Sequence, residues 1–475
     1  MTEERDVVVV GSGAGGAAVA ATLAGRGKRV LLVEKGGPAA PLPDAMDAVY
    51  RYYAHGGLSA SVGNCLLPIP TGTVLGGTTQ INSGTCLKTP DETLERWERA
   101  GTGAFRADEF RRYLDLAWTK LRVTSAPDAT ATVSSRLFLK GLERLGVPGG
   151  HLLPRAESGC VGSGRCCFVC PTGAKQTSDR AFLLPLGRPD GPELALGTEL
   201  IDARAADRAG GPVRVALRGP DGRRRNVSCG RLVLACGTLR TPYYARLLKT
   251  GLGRAAGAGL SVHPAAKLFA LFDERVEGWK GVPQGAGVVD PDDPNIRYEG
   301  VYTPPEMAAV TMPLEGLRLR SWLKNYGRVA TFGWMIRDES RGRADYPLGA
   351  DSPLLRYDLG DADLARMRRA MRFAGRTFFA AGARQVVLPF NRSDNVFDSA
   401  EALERADLSG LSAAQLQMMA FHPLGTCGMG RVVDENLRLA EGVYVCDGSV
   451  IPESLGVNPQ ITIYAFALRL ADHLS

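Results

Sequence analysis

The chain lacks what would tie it to a membrane or to nucleic acid. No stretch of its 475 residues approaches the ~18 consecutive apolar residues of a bilayer span. Met1 to Asp6 lead straight into an apolar segment, with no room for a basic stretch, an apolar core and a cleavage site, so a soluble, cytoplasmic chain is expected. Charge of one sign is also missing: 57 Lys and Arg stand against 50 Asp and Glu, and the Arg residues are scattered rather than clustered. That argues for a solvated surface and against a nucleic-acid footprint. There is no internal repeat and no low-complexity segment. Histidine is scarce, with five in all, so each one that falls in a motif carries weight.

Glycine is abundant instead. Fifty-eight of them imply many tight turns and close approaches of backbone to ligand. Ten cysteines in a chain of this kind point to thiols or metal ligands rather than to a disulfide framework. The length suits about two or three domains.

Arg5 to Val10 is a short apolar run of the type found in a central parallel strand, Ala14 to Arg26 reads as a helix, and Arg29 to Glu34 as a second buried strand. Together they predict a βαβ unit. Asp91 to Leu145 turns helical, and between Leu194 and Gly237 a small sheet is expected, with the first sheet resuming at Arg231 to Ala235. From Lys267 to Phe390 the apolar runs are broken and aromatic, with Trp279, Tyr298, Tyr302, Trp322, Tyr326, Phe332 and Trp334, and a helix at Leu364 to Ala381. This part is the candidate substrate domain. The expected organisation is 1–266 (with a helical insert 91–150 and a cysteine-rich loop 157–176), 267–414 for substrate, and 415–475 returning to the first domain.

Gly11, Gly13 and Gly16 form G-x-G-x-x-G between strand and helix, and Glu34 ends the next strand eighteen residues beyond Gly16. Dinucleotide binding needs each part: Gly11 for a sharp turn, Gly13 for approach of backbone to pyrophosphate, Gly16 for close helix packing, and an acid for ribose hydroxyls. The helix N-terminus favours the phosphate charge. Gly72 to Gly84, GTVLGGTTQINSG, is a loop of the kind that passes backbone against a flat ring, with Asn82 and Ser83 following Gly76 and Gly77.

These segments resemble the glucose-methanol-choline (GMC) oxidoreductases. The match rests on GSGAGG at Gly11, GTVLGGTTQINSGT at Gly72, ACGTLRTPYYARLLKTG at Ala235, FHPLGTCGMG at Phe421 and GVYVCDGSVIPESLGVNPQITIYAFALRLADHL at Gly442, in the family's order and over nearly the whole chain. The resemblance implies an α/β fold: a doubly wound Rossmann-like FAD domain with an inserted antiparallel-sheet substrate domain. It implies FAD as cofactor, alcohol oxidation, and cofactor contacts that include Asp447, Asn458 and Pro459. MIRDESRGRA at Met335 and AAGARQV at Ala380 resemble the long-chain alcohol oxidase-like and FAD sugar dehydrogenase-like branch, as does the His-Pro pair at His263.

Oxidising an alcohol requires a base for the hydroxyl proton while a hydride leaves for flavin N5, and histidine has the right basicity. His422 lies in a glycine-rich loop and matches the family's catalytic position. It is expected to take the proton, while Asn458 positions the alcohol oxygen. Many relatives carry a second histidine where Asn458 stands.

Cys160, Cys166, Cys167 and Cys170 fall within eleven residues, and Cys166-x3-Cys170-Pro171 is similar to the end of a bacterial ferredoxin motif. The loop also resembles that of bacterial FAD-dependent glucose dehydrogenases. That resemblance implies a [3Fe-4S] cluster on Cys160, Cys166 and Cys170, with a [4Fe-4S] cluster less favoured because Cys166 and Cys167 are adjacent. The leading expectation is therefore an alcohol dehydrogenase passing electrons through iron and sulfur to an acceptor protein or quinone. The alternatives are an oxidase that forms peroxide without a cluster and, last, a non-redox lyase. The alcohol itself, whether sugar, sterol, long-chain, aromatic or natural-product, is not declared.

Overall fold

The computed structural model describes residues 3–125, 128–249 and 251–475. Thr250, inside the segment that begins at Ala235, and Ala126 and Pro127 of the helical insert lie outside the described residues.

β1 (Glu3–Val10), α1 (Ala14–Ala24) and β2 (Val30–Glu34) form the expected βαβ unit. The last four residues of β1 and all five of β2 are buried, as a parallel strand covered on both faces requires. α1 reads AGGAAVAATLA and is buried on nearly every side, so small residues let it approach its neighbours closely. β3 (Glu193–Leu196) and β4 (Arg224–Leu234) extend this sheet. β4 begins seven residues earlier than the sequence suggests. One long strand serves two partners: its first half closes an antiparallel hairpin with Val213–Arg218, and the strand from Val227 onward lies parallel to β1.

The second large sheet is antiparallel. β5 (Pro264–Leu271) pairs with β7 (Val329–Ile336), which pairs with β6 (Ile296–Gly300). Alternation sorts the side chains. Leu268, Ala270, Tyr298, Phe332 and Trp334 enter one core with α2 (Asp361–Ala381) and the helix Val133–Arg144, where Phe138 stacks on Phe332 at 3.8 Å. The opposite face carries Lys267, Gly333 and Glu299 in one row across the three strands. Most of the aromatics expected around a substrate are thus core: Trp279 stacks on Tyr326, and Tyr298, Phe332 and Trp334 lie beneath α2.

The chain then returns to the first sheet. β8 (Val443–Val445) pairs in parallel with β4, giving a central parallel order β8-β4-β1-β2-β3. α3 (Gln460–His473) packs on α1. No described helix is long and apolar enough to cross a membrane. The architecture is α/β, a parallel dinucleotide-type sheet joined to an antiparallel one.

Candidate active site

A cavity of about 470 Å³ runs from the phosphate loop to the antiparallel sheet, within the usual range for a small-molecule site. Gly11, Gly13, Glu34, Gly77, Asn82, Ser83, Asp447, Asn458 and Pro459 line it. Gly16 and Gly76 do not, and they act from behind. A Cβ on Gly16 would lie 1.8 Å from the Gly11 carbonyl oxygen, so Gly16 sets the close approach of α1 to the loop. Gly76, at φ 95°, donates its N–H to Ser12 Oγ at 3.0 Å and sews the Gly72–Gly84 loop to the phosphate loop.

The residues fit FAD. Gly13 precedes α1 with no side chain capping the helix, and a Cβ there would meet nothing within 4 Å, so helix N–H groups face open cavity. Glu34 accepts from Ser12 N at 3.0 Å, Ser12 Oγ at 2.6 Å and Gly36 N at 2.7 Å, while remaining at the cavity wall, where ribose hydroxyls would meet it. Burial pushes its carboxyl above the ordinary value, against these donors. Asp447 is a hub between loops: Gly237 N and Thr241 Oγ1 donate to Oδ2 at 2.9 and 2.5 Å, and Ser449 N donates to Oδ1 at 2.8 Å.

Two histidines meet at the sheet end of the cavity. Met419–Ala420 pairs antiparallel with Pro264–Ala265, which sets His263 and His422 on facing chains. Nδ1 of one lies 3.0 Å from Nδ1 of the other. His263 is fully buried, and its Nε2 accepts from Leu455 N at 3.0 Å and Gly456 N at 2.9 Å. An imidazole nitrogen that accepts two N–H bonds bears no hydrogen, so neutral His263 carries its hydrogen on Nδ1 and gives it to His422 Nδ1. Neutral His422 must then carry its own hydrogen on Nε2. Burial lowers the His422 pKa to about 4 and that of His263 well below its ordinary value, so both stay neutral near pH 7.

His263 adopts φ 49°, a strained conformation for a residue with a Cβ. Asp338 holds it there. This buried carboxylate accepts from Val262 N, His263 N, Ser454 Oγ and Tyr357 Oη at 3.1, 3.2, 2.6 and 2.9 Å. Asn458, just ahead of α3, donates from Nδ2 to Glu299 Oε2 at 3.2 Å, and Gln284 Nε2 donates to the same oxygen at 3.2 Å. Asn458 Oδ1 and Glu299 Oε1 are buried without protein partners. Burial raises the Glu299 pKa above the ordinary carboxyl value.

The cysteine loop does not gather a cluster site. Among the described residues no group of three or more His, Cys, Asp or Glu side chains is placed to hold a metal ion. The expected ligands engage separate partners: Cys160 Sγ accepts from Gly162 N at 3.4 Å, Cys166 Sγ from Arg155 Nη2 at 3.2 Å, and Cys170 Sγ lies 3.6 Å from Thr172 Oγ1. This placement lends no support to the [3Fe-4S] or [4Fe-4S] expectation for Cys160, Cys166 and Cys170. The thiols as placed do not fit the cluster, and no electron step is derived through one. The loop instead backs the cofactor loop, because Lys175 Nζ donates to Gln80 O, Asn82 O and Cys166 O at 2.9, 2.9 and 2.6 Å. Cys167 reaches the cavity wall, its Sγ 3.5 Å from Ser83 Oγ.

Sequence reasoning missed Lys267, Gln284, Glu299, Lys175 and the role of Asp338. Only Asp338 left a signal, a carboxylate in MIRDES two residues past a fully buried strand.

Comparison with known proteins agrees with this geometry. Two models described as GMC oxidoreductase match residues 49–265 and 340–467, and one described as FAD binding domain matches 6–41. An uncharacterised GMC-type oxidoreductase of Mycobacterium tuberculosis is 34% identical over 98% of this chain and 75% of its own length. A long-chain-alcohol oxidase of Arabidopsis thaliana is 27% identical over 99% of this chain and 67% of its own. The crystal structure of a pyridoxine 4-oxidase from Mesorbium loti superposes with a TM-score of 0.69 at 18% identity, covering 99% of each chain.

Proposed function

The chain belongs to the GMC oxidoreductase family, FAD-dependent enzymes acting on CH–OH groups, and on that premise we propose that His422 and Asn458 hold the oxygen of the alcohol it oxidises. FAD held by Gly11, Gly13, Glu34 and Asp447 would supply the acceptor for a hydride from the alcohol carbon, with an aldehyde or ketone as product. The chain's own task is to hold the oxygen and dispose of the proton.

The observation that carries the reading is the bond between His263 and His422. It keeps the His422 hydrogen on Nε2, so His422 gives a hydrogen bond to the alcohol oxygen, where the sequence expectation had it take a proton. A donor fixed in a dry site costs no reorganisation when charge develops on that oxygen. The hydroxyl hydrogen is met by Asn458 Oδ1; Glu299 stands behind the cavity wall, so the proton reaches it through the Asn458 amide, which takes a hydrogen at Oδ1 as Nδ2 gives its own to Glu299 Oε2. A carboxyl with a raised pKa suits that role.

An acceptor in solution would take up the electrons that bound FAD carries. The relatives' names speak of oxidases, and the cysteine thiols each have a local partner. The test is anaerobic mixing of the FAD-loaded protein with primary and secondary alcohols, sugars and sterols. Bleaching of the flavin is expected with at least one class, and none with any class would overturn the reading. Peroxide formed on readmitting air, in step with aldehyde or ketone, identifies oxygen as acceptor; product formed only with an added dye or quinone identifies another.

A further inference from the structure

The substrate end of the cavity holds a cation with no counter-charge. Lys267, in β5, lines the cavity with Tyr302, Thr303 and Thr311. Its Nζ donates to Thr303 Oγ1 and lies 5.6 Å from the Phe269 ring. No ion pair to Lys267 occurs among the described residues. The carboxylates that line the cavity are Glu34, Glu199, Asp351 and Asp447, and all are committed elsewhere. Glu34 and Asp447 accept from the loop donors described above. Glu199 pairs with Arg218 and Lys35, and Asp351 with Lys35 and Arg240. Glu299 shares the register row of Lys267, yet Gly333 stands between them and Glu299 is taken by Asn458 and Gln284.

Lys267 is half-buried in the cavity wall, and an ammonium that gives up water there with no carboxylate partner is costly. Burial lowers its pKa to about 8, so the ammonium persists at neutral pH and has nothing within the chain to neutralise it. An anion from outside removes that cost. A single ammonium beside hydroxyl groups matches a monoanion, whereas a phosphate dianion calls for more cationic donors.

We propose that the substrate is an alcohol that also carries a carboxylate, its hydroxyl at His422 and Asn458 and its carboxylate at Lys267 and Thr303. This rests on the assignment of the cavity as the alcohol site.

The experiment uses FAD-loaded protein and matched pairs of hydroxy acids and their primary amides, over a ladder of chain lengths. Anaerobic flavin bleaching reports oxidation, and perturbation of the flavin absorbance by simple carboxylates against their amides reports binding without turnover. At pH 7 the acid is expected to exceed its amide in kcat/KM at the best chain length, and Lys267→Met to narrow that ratio by about 10- to 100-fold, the worth of one charge-assisted hydrogen bond. Thr303→Val, which leaves the charge in place, is expected to narrow it by less. Carboxylate binding should weaken as pH rises past the lysine's titration, while amide binding stays level. Equal behaviour of acid and amide overturns the inference, as does a Lys267→Met variant whose flavin potential moves while its acid-to-amide ratio does not. Neutral alcohols that bleach the flavin with no preference for acids leave the proposed function standing and this inference refuted. Carboxylate binding that depends on Lys267 without oxidation of any alcohol refutes the proposed function and the hydroxy-acid substrate with it, and leaves only the anion contact at Lys267 standing.

Discussion

His263 Nδ1 and His422 Nδ1 face each other across 3.0 Å, and two backbone donors on the far side of His263 decide which of them owns the shared hydrogen. On the proposed function, His422 then meets the alcohol as a donor. His422→Gln keeps an N–H donor without basicity, and His422→Ala removes both. Flavin reduction by alcohol in a single turnover is expected to fall ~100- to 1,000-fold in the alanine variant and by roughly tenfold or less in the glutamine variant. Equal losses in the two would show that His422 works as the base.

The two histidines also set a pH dependence. Their folded-state pKa values lie below the ordinary 6.5, near 4 for His422, so between those values the unfolded chain binds more protons than the native one. Their contribution to stability thus rises with pH across that window and levels off above about pH 6.5, while the buried carboxyls Glu34 and Glu299, with raised pKa values, act in the opposite sense. Thermal unfolding from pH 4.5 to 7.5 of the parent and of a variant carrying both His263→Gln and His422→Gln checks it by difference. A parent-minus-variant midpoint that is flat or falls as pH increases from 4.5 to 6.5 would contradict neutral burial of the pair.

Gly11 and Gly13 separate folding from cofactor binding. Gly11 has φ 105°, and a Cβ there would sit 2.1 Å from the Ala235 carbonyl oxygen, so Gly11→Ala strains the turn and forces β1 and β4 apart. A loss of about 2 to 4 kcal/mol in stability is expected. Gly13 has φ −65° and open space where a Cβ would lie, so Gly13→Ala should fold normally. Its methyl group would occupy space at the helix N-terminus where the pyrophosphate approaches. FAD affinity, read by flavin fluorescence on dilution, should drop for Gly13→Ala with apoprotein stability unchanged.

What the sequence made legible was local. The βαβ unit, the glycine loop and Glu34 lie within thirty residues, and their period and spacing are set by neighbours along the chain. His422 stood out as one of five histidines, in a glycine-rich loop. Lys267 and Glu299 did not stand out, because alternation in β5 and β6 says only that each faces opposite to Leu268 and Tyr298. Which element covers that second face is decided by pairing across more than a hundred residues. Five other basic residues of the substrate part, Arg318, Arg320, Lys324, Arg337 and Arg341, all lie off the cavity wall; Arg337, for one, holds Glu453 and the Ser454 carbonyl. The cysteine expectation finds no support for a related reason. Spacing brings four thiols near one another along the chain, but turns at Gly162 and Thr172 give them separate partners.

Lys175 offers a direct check on the structural reading of that loop. Its ammonium bridges three backbone carbonyls, two in the cofactor loop and one at Cys166. Lys175→Met leaves those acceptors buried and unpaired, at about 1 to 3 kcal/mol each before relaxation. The variant should unfold several degrees lower and release FAD more readily. A variant as stable as the parent, with FAD held as tightly, would remove the loop's supporting role.

Glu299 is the sharpest test of where the proton goes. Glu299→Gln keeps the shape of the side chain and an oxygen to accept from Asn458 Nδ2 and Gln284 Nε2, while abolishing ionisation. Flavin reduction should slow by about 100- to 10,000-fold, the usual worth of a general base, with unfolding and FAD affinity near those of the parent. The parent's rate should rise with pH to a plateau as Glu299 ionises, and that rise should vanish in the variant. Asn458→Ala removes the link between alcohol and carboxyl, so it should lose the rise as well and fall toward the rate of Glu299→Gln. If Glu299→Gln keeps the parent's rate and pH profile, the proton leaves by another route and His422 regains its claim to it.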